Sequence, residues 1–390
     1  MIHKPTDIIK EKNILIDNLN ENIKKLGETG NNSIKTAITK ITNKINNLGK
    51  VIKSFTYEIY PNDQQVNILH KWFNECDIVY NECVKLNNIK RTKNEYINLD
   101  YKKTKLDIFQ NLYNNTSKPA PYDILTDEVR TFCSNLKSCI TNNKNGYIKH
   151  FNLTAKNRYH GRSILIPKPA INKNGFYSLL LYGPIKGFEN INVNLIKCDC
   201  RLVYNKYLNK YYLKCPMYIE VKNIENRKET VALDPGERIF MTYYSFNDCG
   251  MIGYDIRNKI LNYHIKIKKL QRIISKKKIN NKSRLVRRLK KYYLKIKFLV
   301  KELHNKTALY LVKNYKQILI PKFETSKMIG KTFIKNELSR INSESPDKQQ
   351  TEKRKLTKKV RLSKSVKFVL SSLSHYSFQQ HLLHKGKEYG

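Results

Sequence analysis

The sequence is short of acidic residues. Its 390 residues include 32 Asp and Glu against 75 Lys and Arg, which leaves a formal net charge of +43. Glycine and proline are also sparse, at 14 and 11 residues, and this excludes a collagen-like or low-complexity chain. The apolar fraction of 40% is too high for a disordered basic tail. We therefore expect a folded protein of two or three domains whose partner is a polyanion.

Long apolar runs are absent as well. None approaches the roughly 18 residues that a membrane helix needs, and the first residues lack the apolar core of a secretory signal. We therefore expect an intracellular protein with no membrane partner, in the nucleus or the cytoplasm. The basic run at 353–359 is either a nuclear signal or an ordinary basic loop. The sequence leaves the oligomeric state open.

Paired metal-ligand cysteines are missing too. The chain has eight cysteines, and the closest pair, Cys198 and Cys200, has no second half-site in register for a zinc ion. We expect small buried thiols in a reduced protein, and no zinc.

Periodic apolar residues divide the chain into three regions. Residues 1–52 have helical spacing with a break at 27–30, which predicts an N-terminal helical hairpin, either a dimerisation or docking device or a flexible extension. Residues 53–222 predict a β-barrel or small antiparallel sheet with a helical insertion at about 62–150, in which Trp72 lies on a buried stripe. The predicted strands of this region are 54–59, 163–166, 176–181, 191–196, 200–204 and 211–218.

The third region, residues 229–390, predicts a mixed sheet with helices. Three strands come first, and a fourth follows at 318–320. Between them, residues 259–301 contain 17 Lys and Arg and no Asp or Glu, at the spacing of one long amphipathic helix. A last helix is predicted at 366–384.

Two carboxylates follow apolar strands. Asp234 ends the first strand of the third region, and Glu324 comes shortly after the fourth. This arrangement is typical of RNase H-like metal nucleases, where carboxylates hold Mg²⁺. Spacing alone leaves another interpretation open, because Asp-Pro-Gly is also a good type II turn and Glu324 could be a solvated acid.

Several motifs occur in order along residues 54–390. They are Tyr60-Pro61-x-x-x-Gln65, Trp72-Phe73-x-x-Cys76-x-x-Val79-Tyr80-Asn81, Asn209-Lys210-Tyr211-Tyr212-Leu213-x-Cys215-Pro216, Ala232-Leu233-Asp234-Pro235-Gly236-x-Arg238 and the segment 318–328 with Glu324. Together they resemble the TnpB family of transposon-encoded, RNA-guided nucleases. Glu324 stands beyond the usual TnpB position of the second acid, and in this the segment resembles the Fanzor branch of eukaryotes and giant viruses.

This resemblance implies a fold class of α/β plus all-β: an RNase H-like RuvC domain preceded by a β-barrel with a helical insertion. It also implies an RNA-guided DNA endonuclease with Asp234 and Glu324 as catalytic Mg²⁺ ligands, with guide RNA and target DNA as partners, in a eukaryotic, virus-infected host. Family members continue past a Tyr-Gly, here Tyr389-Gly390, with a zinc ribbon and a third acid. We therefore expect a truncated, impaired nuclease, or alternatively a non-catalytic nucleic-acid-binding remnant.

The basic helix is either a solvated surface or a phosphate-binding face. Seventeen cations without an acid repel one another, which favours phosphate binding. The candidate nucleic-acid-binding residues are Lys276, Lys277, Lys278, Arg287, Arg288, Lys290 and Lys291.

Overall fold

The computed structural model describes residues 5–29, 32–46, 49–92, 101–113, 119–156, 162–276, 282–329 and 362–390. The chain forms two compact units, one from Ile52–Ile219 and one from Met1–Val51 together with Glu220–Gly390. Each unit has a hydrophobic core of its own. Two cores are expected in 390 residues, because a single core stops growing at about 250–300 residues.

Two helices occupy the N-terminal region, α1 (Pro5–Thr29) and α2 (Asn32–Asn46). In α1 the side chain of Leu15 is buried, whereas Ile14 and Ile23 are exposed. Apolar side chains therefore remain on the outer side of this helix. A dimerisation or docking role for the region stays a prediction.

The unit from Ile52–Ile219 combines a four-stranded sheet with long helices. Its sheet has the order β1-β6-β5-β2, and a short two-stranded sheet pairs β3 with β4. The predicted hairpin at 205–210 is present, because β5 pairs antiparallel with β6 through Asn205 and Lys210. Closure into a barrel stays a prediction. The elements are β1 (Lys50–Ile59), α3 (Asp63–Thr92), α4 (Tyr101–Tyr113), α5 (Tyr122–Lys144), β2 (Arg162–Ile166), β3 (Ile171–Asn172), β4 (Gly175–Phe176), β5 (Cys200–Asn205) and β6 (Lys210–Glu220).

A reciprocal cap starts α3. The Asn62 side-chain oxygen accepts a hydrogen bond from the Gln65 amide N–H at 2.9 Å, and the Gln65 side-chain oxygen accepts one from the Asn62 N–H at 3.0 Å. The Gln65 side-chain amide is buried and donates to the carbonyls of Leu181 and Pro184, both at 3.2 Å. One side chain therefore caps the start of a helix and fixes a distant loop.

The motif around Trp72 builds this core. Trp72 is buried, as predicted, and its ring meets that of Tyr177 edge-on at 5.6 Å. Asn81 holds the backbone of Lys156 by two hydrogen bonds, of 2.7 and 3.2 Å, and the Lys156 ammonium pairs with the buried carboxylate of Glu128. These motif residues thus act in folding.

Two strand predictions in this unit are wrong. Residues 176–181 leave the extended conformation at Tyr177, whose φ is 47°, and Tyr182 has a φ of 54°. Local turn hydrogen bonds, such as Leu181 N–H to the Tyr177 carbonyl at 3.0 Å, replace strand pairing. Within 191–196 the chain forms a 3₁₀ turn at Val193–Leu195, where the Asn192 side chain caps the Asn194 N–H at 3.2 Å, and Ile196 makes an isolated antiparallel bridge to Met217.

The other unit contains a four-stranded sheet with the order β10-β7-β8-β9. Strands β7, β8 and β9 form antiparallel hairpins, whereas β10 lies parallel to β7 after a long helical connection. Its elements are β7 (Lys228–Pro235), β8 (Met241–Ser245), β9 (Cys249–Ile252), α6 (Ile256–Ser275), α7 (Lys282–Asn314), β10 (Tyr315–Leu319), α8 (Thr325–Ile329), α9 (Lys364–Leu373) and α10 (His375–Tyr389).

Two helix predictions in this unit are also wrong, because the structure has two helices in place of each predicted one. The basic segment 259–301 divides into α6 and α7, with residues 277–281 outside the described residues, and Lys276 already has an extended ψ of 132°. The segment 366–384 breaks at Ser374, which adopts the left-handed conformation with φ 51° and ψ 53°. Apolar residues continue across Ser374, so spacing alone cannot detect that break.

We predict that Gln65→Ala destabilises the unit from Ile52–Ile219 by about 2–4 kcal/mol, because it removes a helix cap and leaves two carbonyls without a donor. Denaturant unfolding followed by the fluorescence of the single tryptophan, Trp72, reports on this core. The control is Gln64→Ala, since Gln64 is the exposed neighbour of the same residue type. Equal unfolding midpoints for the two variants would contradict the prediction.

Candidate active site and basic helices

The two candidate acids lie at or just after the carboxyl ends of neighbouring parallel strands. The register pairs Leu319 of β10 with Ala232 of β7, so the carboxyl ends of both strands lie at the same edge of the sheet. Asp234 comes two residues after Ala232, and Glu324 comes five residues after Leu319. In open sheets with parallel strands, ligands bind outside the carboxyl ends of those strands.

Asp234 projects from the solvent-exposed face of β7. Val231 and Leu233 are buried towards the helices, and Asp234 alternates with them and is exposed. Asp234 and Pro235 are strand residues that pair with Thr242 and Met241. The type II turn therefore does not form at these residues, and the chain turns just beyond them.

A tight turn follows Asp234. The Gly236 N–H donates to the Phe240 carbonyl at 3.3 Å. A Cβ atom on Gly236 would lie 2.8 Å from the Ile239 carbonyl oxygen, so this position requires glycine. Arg257 of α6 donates to the carboxylate of Glu237 at 2.9 Å and ties the same turn to the helical layer.

Glu324 lies in the loop between β10 and α8. Its carboxylate is 3.0 Å from the ammonium group of Lys322, and its backbone carbonyl accepts from the Met328 N–H at 3.3 Å. Lys322 is largely exposed, so this ion pair contributes little to stability. The Glu324 side chain itself is half-buried.

Carboxylate oxygens are the hard ligands that Mg²⁺ prefers, so the donor chemistry of Asp234 and Glu324 fits this ion. Over the described residues, no group of three or more His, Cys, Asp or Glu is arranged to hold a metal. The assignment of Asp234 and Glu324 as ligands stays a proposal.

A histidine that the sequence analysis did not select lies beside the chain neighbours of both acids. His375 lines a shallow pocket together with Pro235, which follows Asp234, and Phe323, which precedes Glu324. Burial lowers the pKa of His375 to about 4, so the ring is neutral at physiological pH. No sequence spacing singles out His375, because its contacts lie far away along the chain.

The candidate basic residues lie where the two basic helices are most exposed. Arg287, Arg288, Lys290 and Lys291 are exposed on the first half of α7, where the described residues include no buried side chain before Ile296. Lys276 is exposed directly after α6. Lys277 and Lys278 lie outside the described residues. Phosphate binding by this surface stays a prediction.

Two family models match the sequence. One, of the OrfB_IS605 family and described as a probable transposase, matches residues 214–332. The other, described as the helix-turn-helix domain of the same family, matches residues 51–95. In the described part of that match the chain forms β1 and the single helix α3.

Curated relatives come from large DNA viruses. TnpB-like protein L770 of Acanthamoeba polyphaga mimivirus is 27% identical over 356 residues, which cover 87% of this chain and 63% of that protein. Putative transposase R186 of the same virus is 28% identical, over 80% of this chain and 71% of that protein. Putative transposase A625R of Paramecium bursaria Chlorella virus 1 is 24% identical, over 72% of this chain and 68% of that protein.

These matches confirm the resemblance to the TnpB family. The chain spans 62–63% of the length of the TnpB-like mimivirus proteins. The match to the Fanzor branch in particular stays a prediction.

One solved structure is also similar, but weakly. A chain of the cryo-EM structure of the Cas12f1-sgRNA-target DNA complex matches with 10% identity and a TM-score of 0.30, over 71% of this chain and 82% of that chain. A score of this size carries no argument. Separately, none of the helices in the described ranges has the length and apolar character needed to cross a membrane.

We predict that acid destabilises the unit that contains the buried histidines. Burial lowers the pKa of His304 and His375, whereas an unfolded histidine titrates near about 6.5. Below that pH the unfolded chain binds protons that the folded chain does not, so the free energy of unfolding falls as the pH falls. Thermal unfolding between about pH 7 and pH 4.5 measures this slope.

The variant His304→Phe should flatten this dependence, because phenylalanine keeps the ring packing against Phe240 but does not titrate. A slope as steep as that of the wild type would contradict the assignment of a buried, neutral His304.

Proposed function

We propose that this relative of the TnpB-like proteins is an RNA-guided, Mg²⁺-dependent DNA endonuclease of the RuvC type, associated with a transposon. Asp234 and Glu324 would hold the metal ion. The observation that supports this most strongly is the parallel pairing of β7 with β10, since Asp234 lies at the carboxyl end of β7 and Glu324 follows that of β10. The family matches support the nuclease ancestry, and the guide RNA and target DNA are proposed partners.

The chemistry at this edge is hydrolysis of a phosphodiester. A bound Mg²⁺ supplies an activated water and stabilises charge on the leaving oxygen. Asp234 is exposed, so a nucleic-acid strand can reach its carboxylate. Glu324 is held by its loop beside the cationic Lys322, which balances part of its charge.

We assign nucleic-acid binding to the exposed basic residues of α6 and α7, called the basic face. Its exposed cations would contact phosphates and carry no sequence information of their own. Specificity would come from base pairing with the guide RNA, as in other RNA-guided nucleases.

A second candidate function is nucleic-acid binding without cleavage. The observation in its favour is that the described residues do not assemble a three-ligand metal group. Under this second function, Mg²⁺ would be held weakly by two acids alone, and cleavage would be slow or absent.

We predict that Asp234→Asn abolishes Mg²⁺-dependent cleavage and leaves RNA affinity nearly unchanged, because it removes a ligand charge without changing the basic face. The protein is purified with its bound RNA, the RNA is sequenced, and DNA matching it is tested for cleavage with Mg²⁺. The control is Glu229→Gln, since Glu229 is an exposed acid near the opposite end of the same strand.

Cleavage by Asp234→Asn at the wild-type rate would remove Asp234 from the site. Discrete RNA without any wild-type cleavage would favour the binding function, and random RNA would contradict guidance.

We predict that the double variant Arg287→Gln, Arg288→Gln weakens nucleic-acid binding. The slope of log binding constant against log salt concentration should become shallower by about 0.7–0.9 per lost phosphate contact. Binding is measured over a series of salt concentrations. The control double variant, Lys306→Gln with Lys313→Gln, removes the same charge from two exposed positions on the second half of α7, the half that packs into the core. Equal slopes for the two double variants would mean that the first half of α7 is not a phosphate-binding surface.

A further inference from the structure

His375 begins α10 directly after the left-handed Ser374. Its ring is 3% exposed, and its Nε2 atom lies 3.1 Å from the carbonyl oxygen of Gly236. Gly236 is the second residue after Asp234, and it is the first residue of the tight turn. The imidazole therefore holds the backbone that follows the first candidate acid.

The same ring contacts the loop of the second candidate acid. The ring of Phe323 meets His375 edge-on, with centroids 4.9 Å apart and planes at 73°. Phe323 directly precedes Glu324. On another side the imidazole stacks on Phe240, at 5.1 Å and 14°, which fixes the plane of the ring.

The hydrogen bond determines which nitrogen carries the proton. A neutral imidazole has one N–H, and because the Gly236 carbonyl can only accept, the proton is on Nε2. The Nδ1 atom is then an acceptor, and it is buried with no hydrogen-bond partner in the described structure.

An apolar side chain at position 375 could pack against Phe240 and Phe323 without burying an unpaired nitrogen, which is costly. The feature that only the histidine adds is the N–H directed at Gly236. This bond is therefore the part of the residue that needs an explanation.

We infer that His375 is a positioning residue that joins the two acid-bearing loops, through its hydrogen bond to Gly236 and its ring contact with Phe323. It holds the backbone of Gly236 on one side of the site and the ring of Phe323 on the other, so the spacing of Asp234 and Glu324 depends on it. The effect of His375 on the metal site rests on the proposed function. The connection between the two loops rests only on the observed contacts of His375 with Gly236 and Phe323.

Two polar substitutions of His375 separate the effect of the hydrogen bond from the effect of a polar side chain at this position. In His375→Gln the side-chain amide nitrogen can occupy the place of Nε2 and donate to Gly236, whereas the shorter side chain of His375→Asn cannot reach it. The matched control is His304→Asn. His304 stacks on the same Phe240 ring at 5.3 Å, but it bonds the Leu373 carbonyl rather than either loop.

The first measurement is amide hydrogen exchange in the full chain, which needs no metal and no activity. The Gly236 N–H reports on the first loop, and the Thr325 and Met328 N–H groups report on the second. His375→Asn should speed exchange at all three amides by about tenfold. His375→Gln should restore slow exchange, and His304→Asn should leave the three amides unchanged.

The second measurement is the binding of Tb³⁺ alone, detected by luminescence sensitised by tyrosine and defined by its loss in Asp234→Asn. We expect His375→Asn to weaken this binding by about 10-fold to 100-fold, and His375→Gln to recover most of it.

Unchanged exchange in His375→Asn, or equal acceleration in His304→Asn, would overturn the inference. Tb³⁺ binding that does not depend on Asp234 would instead refute the proposed metal site, and the exchange rates would still decide whether His375 joins the loops.

Discussion

The parallel pairing of β10 with β7 is the constraint on which the candidate site depends. Antiparallel hairpins alone would put successive strand ends at opposite edges, whereas a parallel neighbour brings two carboxyl ends together. The long helices α6 and α7 provide the connection that a parallel strand needs. The same connection presents the exposed basic residues, so one topological feature produces both the acidic edge and the basic surface of this unit.

Turn and side-chain contacts, in addition to strand pairing, support the sheet edge near Asp234. Arg257 holds the Glu237 carboxylate in the turn after Asp234, and Gly236 permits a turn that a side chain would block. His375 then bonds that turn from α10. The last of these contacts joins residues 139 positions apart in the sequence, so the geometry of the edge depends on packing between distant segments.

Local pattern predicts part of this structure. The apolar residues before Asp234 and before Glu324 place both acids near the ends of strands, because short apolar runs bounded by turn residues favour strands. Pattern fails where one residue decides the backbone. Ser374 divides a helix, and the left-handed Tyr177 and Tyr182 replace a predicted strand by turns, although the apolar spacing continues through all three. The contribution of His375 could not be predicted, since it depends on packing between distant segments.

The account is tested most directly by locating a metal ion. Crystals of the full chain soaked in Mn²⁺ would give an anomalous difference peak wherever this ion binds, and Mn²⁺ shares the oxygen ligands that Mg²⁺ prefers. We predict a peak within ligand distance of a carboxylate oxygen of Asp234, on the side of Glu324. A well-occupied peak elsewhere, with none beside Asp234, would contradict the assignment of this edge as the metal site.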